Sequence, residues 1–550
     1  MGTSANTIAM LLPELLIVLF GTLVMVGSAF TRPKSAPMWV AVASVGFIVA
    51  GFAIFTQRQW LFSDETILSG PLMVDSLGGT MRSVSVLLGL LFVWSMARNA
   101  TTTQRGEHLG MIMFVFAGLM LVCWAANLVT VFLGLELISI PTYALLFLGG
   151  RRKSASEATA KYFFLSILSS AVFLFGMALL FGLTGTAELN GIREFFVTVG
   201  HGGGPASGLV AIAFVFLFAG LGFKIAAVPF HFYAPDVYQA TSNGNAGLLA
   251  VVPKIAGIVI LVRLMVIVIT AHVSYGWQIA VIVSLLTMTI GNICALWQNN
   301  IRRMMAYSSI AHAGYMLIGL AVAFGSSAGS TAAVYSGVAA TLLYLVMYAL
   351  ASLGTFAVLC EVSGDRESND VYLFDHVAGL AKRRPWMAAA LAVFMFSLAG
   401  IPPLAGFWGK MTLLTGALAT ARTGGELLGS GANWFFVLAI VAVVNAAIAA
   451  AYYLRLVGVA YFGESETAID TAISATPAKP GPVLMPNVST AAWAAAICAL
   501  LIVAGGILPG VAVERFNTVG KSLHQPVSLP TASSEMTPQA TASERIAKAD

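Results

Sequence analysis

The stretch LGFKIAAVPFHFYAPDVYQA, residues 221–240, places two groups that can carry protons in an otherwise apolar run. Lys224 has no carboxylate partner nearby in the sequence, and both Pro229 and His231 follow it closely. A charge at the centre of a bilayer costs at least ~2.5–3.5 kcal/mol, so an ionisable residue there is usually functional. We therefore predict that Lys224 accepts and releases a proton and that His231 relays protons beside a broken helix. The alternative for His231 is a hydrogen-bonded residue of the core.

Three more ionisable residues lie deep inside apolar runs. Glu136 lies in VFLGLELISIPTY, Lys254 follows Pro253, and Lys410 closes SLAGIPPLAGFWGK. The alternative for Glu136 is a neutral carboxyl group that is hydrogen-bonded to a neighbouring helix. A series of titratable groups through a membrane fits the transport of protons better than the transport of larger solutes.

Other ionisable residues are more ambiguous. His312, in YSSIAHAGY, is a candidate relay or a core histidine satisfied by the preceding serine hydroxyls. Lys161 follows Glu157 by four residues. It either belongs to the buried series, or extends its side chain to the cytoplasmic face or pairs with Glu157 on its own helix. Arg263 and Arg455 lie nearer the ends of their apolar runs, where long cationic side chains anchor a helix at the interface.

Several classes of site are excluded by the residue pattern. The four cysteines, Cys123, Cys294, Cys360 and Cys498, lie far apart without CxxC spacing, so neither a disulfide framework nor an iron–sulfur or zinc site is predicted. The sequence has no P-loop, and no GxGxxG opens a helix after a strand. The net charge of +5 is small for 550 residues and does not suggest nucleic acid binding. We expect neither a metal nor a cofactor on this chain.

The composition indicates that these residues lie on membrane-spanning helices. Hydrophobic residues make up 59% of the chain and charged residues only 9%, whereas soluble domains carry about 25% charged residues. A membrane-spanning helix needs roughly 20 apolar residues, and we predict an all-α polytopic protein with about fourteen such helices. The runs lie near 8–29, 37–57, 80–97, 108–125, 127–149, 157–184, 206–235, 246–271, 277–297, 303–324, 331–362, 386–421, 433–462 and 488–512.

Two of the runs are predicted to break. Prolines interrupt 206–235 at Pro229 and 386–421 at positions 402 and 403, and a proline inside a helix removes one backbone hydrogen bond. Two five-helix units of opposite orientation, each with a broken helix, are typical of inverted-repeat transporters. The predicted organisation is three N-terminal helices in 1–107, repeats in 108–271 and 274–462, a polar linker in 463–487, a last helix in 488–512 and a disordered tail in 513–550.

The distribution of Lys and Arg predicts the orientation. With alternating membrane spans, most loop cations, including residues 151–153, fall on one side, and the other side receives little beyond Arg58, Arg193 and Arg422. The side that is rich in Lys and Arg is the cytoplasmic one. Both termini are therefore predicted to lie on the outer side.

Five motifs carry a family resemblance. The segments KIAAVPFHFYAPDVYQA, ELISIPTYAL, EATAKYFFLS, MMAYSSIAHAGY and SLAGIPPLAGFWGK resemble the subunit N family of bacterial proton-pumping NADH–quinone oxidoreductase, respiratory complex I. These antiporter-like membrane subunits are related to the Mrp cation/proton antiporters. The resemblance runs from about residue 8 to residue 462, and one departure is the sequence TSNGN at 241–245, where the family usually has proline.

The resemblance implies a role for each candidate residue. Glu136 would pair with Lys224, and Lys161 would modulate that pair. Lys254 would be the central proton carrier, and Lys410 would be the exit group. The remaining members of the polar axis would be His231 and His312.

The resemblance also implies where the other components lie. NADH, FMN, iron–sulfur clusters and quinone would belong to partner subunits, and this chain would contact other complex I membrane subunits, especially antiporter-like neighbours, as well as membrane lipid. The location would be the bacterial cell inner membrane. An Mrp-type monovalent cation/proton antiporter subunit is the alternative function, and an inert scaffold subunit is a third.

Overall fold

The structure of this chain is a computed structural model. Among the described residues nearly all regular secondary structure is helical, which agrees with the predicted all-α membrane fold. Among the described residues, thirteen helices are long and apolar enough to cross a membrane. The predicted run near 386–421 is divided into two helices, Pro385–Ala399 and Ala405–Thr423, which are not among these thirteen. The structure describes residues 7–31, 36–57, 67–69, 71–97, 104–148, 153–199, 206–269, 275–325, 331–363, 372–423, 431–464 and 489–522.

The elements are numbered in chain order. A two-stranded antiparallel hairpin of β1 (Ile67–Ser69) and β2 (Leu72–Val74) precedes the third helix. The helices are α1 (Leu12–Ala29), α2 (Ala36–Thr56), α3 (Ser76–Met96), α4 (Arg105–Trp124), α5 (Leu128–Leu148), α6 (Lys153–Thr184), α7 (Leu189–Val199), α8 (Ala206–Ile225), α9 (Tyr233–Ala240), α10 (Asn243–Ile260, continued by a π-helix over Leu261–Ile269), α11 (Gly276–Leu296), α12 (Ile301–Gly325), α13 (Thr331–Ser363), a 3₁₀ turn (Phe374–Val377), α14 (Leu380–Arg383), α15 (Pro385–Ala399), α16 (Ala405–Thr423), α17 (Ala432–Phe462), α18 (Thr490–Ile507) and α19 (Pro509–Ser522).

Helices α10, α12 and α13 form the centre of the bundle. In the apolar segments of these helices (for α13, Gly337–Ser363) at least 94% of the residues are buried, whereas in those of α1, α17 and α18 at most 39% are buried. Large exposed side chains such as Leu19, Phe52, Ile140 and Val443 lie on this outer surface. Exposed apolar surface of this extent suits contact with lipid, so the ionisable residues of the central helices are kept away from it.

The first predicted helix break is confirmed. Helix α8 ends at Ile225 and α9 begins at Tyr233, with Pro229 between them. Ala226 adopts a positive φ of 57°, which turns the chain out of the helix. A helix end leaves its last carbonyl groups without partners inside the helix, and in lipid such groups must be satisfied by the protein.

The second predicted break is also confirmed. Helix α15 ends at Ala399, and α16 begins at Ala405 after two prolines. Gly400 caps α15 with a φ of 89°, a conformation that glycine adopts at no steric cost. Each break therefore exposes backbone carbonyl groups inside the protein.

The predicted disordered tail is wrong for its first ten residues. Residues 513–522 belong to α19, which packs against α3 and α13. Phe516 and Val519 are buried, and Arg515 donates a hydrogen bond of 2.9 Å to Thr80. The composition of this segment is polar enough to suggest disorder, but a few apolar residues suffice to bind it to the bundle. Residues 465–488, most of the predicted linker, and residues 523–550 lie outside the described part of the chain.

Candidate functional site

Glu136 and Lys224 each form hydrogen bonds to serine hydroxyl groups. The Lys224 ammonium donates to Ser139 Oγ at 2.8 Å and to Ser166 Oγ at 3.2 Å, and Ser170 Oγ donates to Glu136 Oε1 at 2.6 Å. Glu136 and Ser139 lie one turn apart on α5, and Ser166 and Ser170 lie one turn apart on α6. Lys224 therefore bonds both α5 and α6, and Glu136 on α5 bonds α6. The ion pairs among the described residues do not include a direct contact between the two groups.

Lys254 bonds a carbonyl group that the first helix break leaves free. Its ammonium group donates to the carbonyl oxygen of Ile225 at 2.8 Å, and only 1% of the residue is exposed. Ile225 is the last residue of α8 and directly follows Lys224. The carbonyl group freed by the break is thus the acceptor that holds Lys254 beside Lys224.

Lys410 does the same at the second break. Its ammonium group donates to the carbonyl oxygens of Leu398 and Ala399 at 2.9 and 2.8 Å. It also lies 4.9 Å from the ring centroid of Tyr315, within the range of a cation–π interaction. Both broken helices therefore present freed carbonyl groups to a buried lysine.

Hydroxyl groups surround His312. Its Nδ1 atom lies 2.5 Å from the Tyr344 hydroxyl, and its Nε2 atom lies 2.9 Å from the Tyr453 hydroxyl. The Tyr453 hydroxyl also contacts the Ser308 hydroxyl, and Tyr348 bonds Ser309 at 2.8 Å. Each hydroxyl group can both donate and accept, so His312 lies in a hydrogen-bonded cluster whose direct partners are tyrosines rather than the preceding serines. Its role as a relay stays a prediction.

The structure separates Lys161 from the buried lysines. Its side chain is 47% exposed and forms ion pairs with Glu157 at 2.8 Å and with Asp236 at 3.5 Å. These residues line a cavity of about 400 Å³, together with Arg302 and Tyr372. The pairing with Glu157 is the local alternative that the spacing in the sequence allowed. A modulating role for Lys161 stays a prediction.

His231 lies in the break between α8 and α9 and is partly buried. Its Nδ1 atom is buried and has no hydrogen-bond partner among the described residues. No hydrogen bond of the described residues joins it to Lys224 or Lys254. Its relay role therefore also stays a prediction.

Two buried ion pairs near the N-terminal helices were missed from the sequence. Arg263 is 2% exposed and binds Asp75 through Nη1 at 2.9 Å and Nη2 at 2.7 Å, so its interpretation as an interface anchor is wrong. Arg82 binds Glu14 through Nε at 2.7 Å and Nη2 at 2.6 Å, and its guanidinium lies 3.5 Å from the centre of the Trp124 ring. The partners lie 188 and 68 residues apart in the chain. No local spacing could reveal them.

The polar partners of the lysines were also missed. The available signal was the spacing of hydroxyl residues relative to the ionisable ones, such as Ser139 one turn after Glu136. On α13, Tyr344 and Tyr348 lie one turn apart and both bond α12. Among the described residues, no group of three or more His, Cys, Asp or Glu side chains could hold a metal ion.

The fold and the buried lysines define a polytopic membrane protein of the antiporter type. Residues 125–450 match the family model described as NADH:quinone oxidoreductase/Mrp antiporter, transmembrane. The chain is 34% identical over 473 residues to NADH-quinone oxidoreductase subunit N of Rhodospirillum rubrum, covering 85% of this chain and 90% of the relative. It is 35% identical over 467 residues to the subunit N of Trichlorobacter lovleyi, covering 84% and 88%. The chain belongs to the NADH-quinone oxidoreductase subunit N family, which confirms the resemblance drawn from the motifs.

Solved structures share the fold. A chain of respiratory complex I from Thermus thermophilus with bound aureothin superposes with a TM-score of 0.69 at 29% identity, covering 91% of this chain and 98% of that one. A chain of the Mrp complex from Dietzia superposes with a TM-score of 0.76 at 21% identity, covering 95% and 98%. At that identity the Mrp likeness shows the fold alone.

Proposed function

We propose that this chain is a proton-translocating membrane subunit of NADH–quinone oxidoreductase in the bacterial inner membrane. The observation that carries the proposal is the use of both helix breaks. Lys254 binds the carbonyl group freed at Ile225, and Lys410 binds those freed at Leu398 and Ala399. A buried amine held by neutral carbonyl groups can exchange a proton without first separating from a carboxylate.

The proposed path begins at Glu136 and Lys224. Redox energy released on partner subunits would alter the charge at one end of the axis, and formation or separation of the Glu136–Lys224 pair would change the proton affinity of Lys254. The proton would then pass the hydroxyl cluster of His312 and leave through Lys410. The separate bonds of Lys224 to Ser139 and Ser166, and of Glu136 to Ser170, support this order because neither group is held in a direct ion pair with the other.

The energy required is within reach of such rearrangements. Moving one proton against 100 mV costs ~2.3 kcal/mol. Altering the environment of a titratable group enough to change its pKa by one unit is worth about 1.4 kcal/mol. Rearranging one or two buried charges can therefore supply the work.

The remaining organisation is part of the same proposal. It includes the inverted repeats in 108–271 and 274–462 and the outer location of both termini, which rest on the helix breaks and on the distribution of Lys and Arg. NADH, FMN, iron–sulfur clusters and quinone would lie on partner subunits, as the family resemblance implies. The confirmed helix breaks support the repeats, since each proposed unit contains one.

The test is Lys254→Met in the assembled complex, with protons moved per NADH oxidised measured in sealed membrane vesicles. We expect this ratio to fall, whereas Lys382→Met, which changes an exposed lysine of the short helix α14, should leave it unchanged. Normal assembly with an unchanged ratio would contradict the proposal and favour an inert scaffold. Sodium transport by the isolated chain in vesicles would instead favour the Mrp-type antiporter.

A further inference from the structure

A buried histidine outside the proposed proton path joins three helices. His108, in the first turn of α4, is 4% exposed, and its Nε2 atom lies 3.0 Å from Asn245 Oδ1. Asn245 is 1% exposed and donates from Nδ2 to the carbonyl oxygen of Leu145 at 2.8 Å. A carbonyl group can only accept, so the amide nitrogen must face Leu145 and the amide oxygen must face His108. His108 is therefore the donor, and it fixes the orientation of Asn245.

The bonds of this joint fall on helix ends that need them. Leu145 is among the last four residues of α5, whose carbonyl groups have no partner within the helix. Asn245 lies in the first turn of α10, where the Ser242 side chain caps the helix through the Asn245 N–H. The joint thus ties the end of one helix to the start of another.

Neighbouring residues of the 241–245 segment strengthen this hub. Asn243 donates to Ser363 Oγ at 2.9 Å at the end of α13, and Arg302 of α12 donates to the carbonyl oxygen of Thr241. This is the segment in which the sequence departs from the usual family pattern. Residues 241–245 form hydrogen bonds to α4, α5, α12 and α13.

The joint is equally distant from two residues of the proposed path. Glu136 lies nine residues before Leu145 on α5, and Lys254 lies nine residues after Asn245 on α10. At 1.5 Å per residue, both stand about 14 Å from the joint along their helices. The two helices pack against each other, so the position of the joint sets how Glu136 and Lys254 face one another.

We propose that the His108–Asn245–Leu145 joint is a positioning element that holds α5 against α10 and thereby sets the coupling between the Glu136–Lys224 pair and Lys254. The inference rests on the proposed function. His108 acts through Asn245 and does not itself transfer protons in this role.

The matched variants are His108→Gln and His108→Asn. A glutamine amide nitrogen occupies about the place of Nε2 and can still donate to Asn245, whereas an asparagine amide nitrogen occupies about the place of Nδ1 and cannot. Protons moved per NADH oxidised are measured in vesicles that contain the assembled complex. We expect His108→Gln to keep the ratio and His108→Asn to lose at least half as much as Lys254→Met loses.

Asn245→Val completes the test because His108 acts only through that residue. The double variant His108→Asn with Asn245→Val should lose no more than Asn245→Val alone, since coupled residues are not additive. Thr355→Val is the control and should change nothing, because among the described residues the buried Thr355 hydroxyl bonds the carbonyl oxygen of Ala351 on its own helix. Equal ratios for the Gln and Asn variants, or additive losses in the double variant, would overturn the inference.

Failure of the inference can be told apart from failure of the proposed function. If Lys254→Met lowers the ratio and His108→Asn does not, only the positioning role is lost. If Lys254→Met itself has no effect, the proton path is wrong. If His108→Asn lowers the amount of assembled complex but not the ratio, the joint is merely structural and the inference fails.

Discussion

The buried pair between Arg263 and Asp75 offers a prediction whose magnitude follows from the structure. Asp75→Asn removes the charge but keeps an oxygen that can accept the Gly78 N–H, so the cap of α3 is preserved. The guanidinium is left buried and without its carboxylate. Removing one partner of a buried ion pair costs ~3–5 kcal/mol.

The expected size lies at the lower end of that range. Arg263 keeps its bonds to the carbonyl oxygen of Cys123, of which the Nε bond is 3.1 Å long, so part of its hydrogen bonding survives. We expect Asp75→Asn to lower the free energy of unfolding by about 3 kcal/mol. The assay is SDS-induced unfolding of the purified chain in mixed micelles, followed by circular dichroism.

A second variant isolates the pair from other effects. Replacing both partners, as Asp75→Asn with Arg263→Met, should recover most of the lost stability, because no buried charge is then left without its partner. Lys382→Met is the control for loss of an exposed charge. A loss below about 1 kcal/mol for Asp75→Asn, the range of exposed pairs, would refute the view that this pair is desolvated.

Three further predictions concern the rate of proton transport, which is measured as the initial rate of proton uptake into sealed vesicles during NADH oxidation. Ser170→Ala removes the 2.6 Å bond to Glu136 and should lower the pumping rate severalfold with normal assembly; an unchanged rate would show that the carboxyl group needs no hydroxyl partner. Tyr453→Phe removes the hydroxyl group at Nε2 of His312 and should slow transport about tenfold, since a lost bond of about 1.4 kcal/mol is a factor of ten; full activity would place the path elsewhere. Lys161→Met should change the rate less than twofold, because the lysine is half exposed and its ion pairs are solvated; complete loss would restore it to the buried series.

The membrane helices and their breaks were predictable because their signals are local. Apolar runs of about 20 residues define the spans, and Pro229, with the proline pair before Ala405, defines the breaks. The ionisable residues Glu136, Lys224, Lys254 and Lys410 stood out because no other charged residue lies near them in the sequence. The tail was misjudged since two buried residues on α19 carry too little signal to offset its polar composition.

The partners of those residues were not predictable. Lys254 binds a backbone carbonyl 29 residues away, and Lys224 binds serines 58 and 85 residues away. A backbone acceptor has no signature in a sequence, because every residue has one. Serine is common in membrane helices as a group that bonds its own backbone, so its spacing alone does not distinguish a partner from a neutral residue.

The carbonyl group of Ile225 has a consequence for solvent. If the Lys254 ammonium moves away to transfer its proton, the carbonyl oxygen of Ile225 loses its hydrogen-bond donor in an apolar interior. An unsatisfied buried acceptor costs ~1–3 kcal/mol unless another donor replaces the amine. A single molecule of solvent is the smallest replacement. We expect water to enter and leave the middle of the bundle once per turnover. Osmotic stress should then slow turnover in proportion to the number of water molecules that enter.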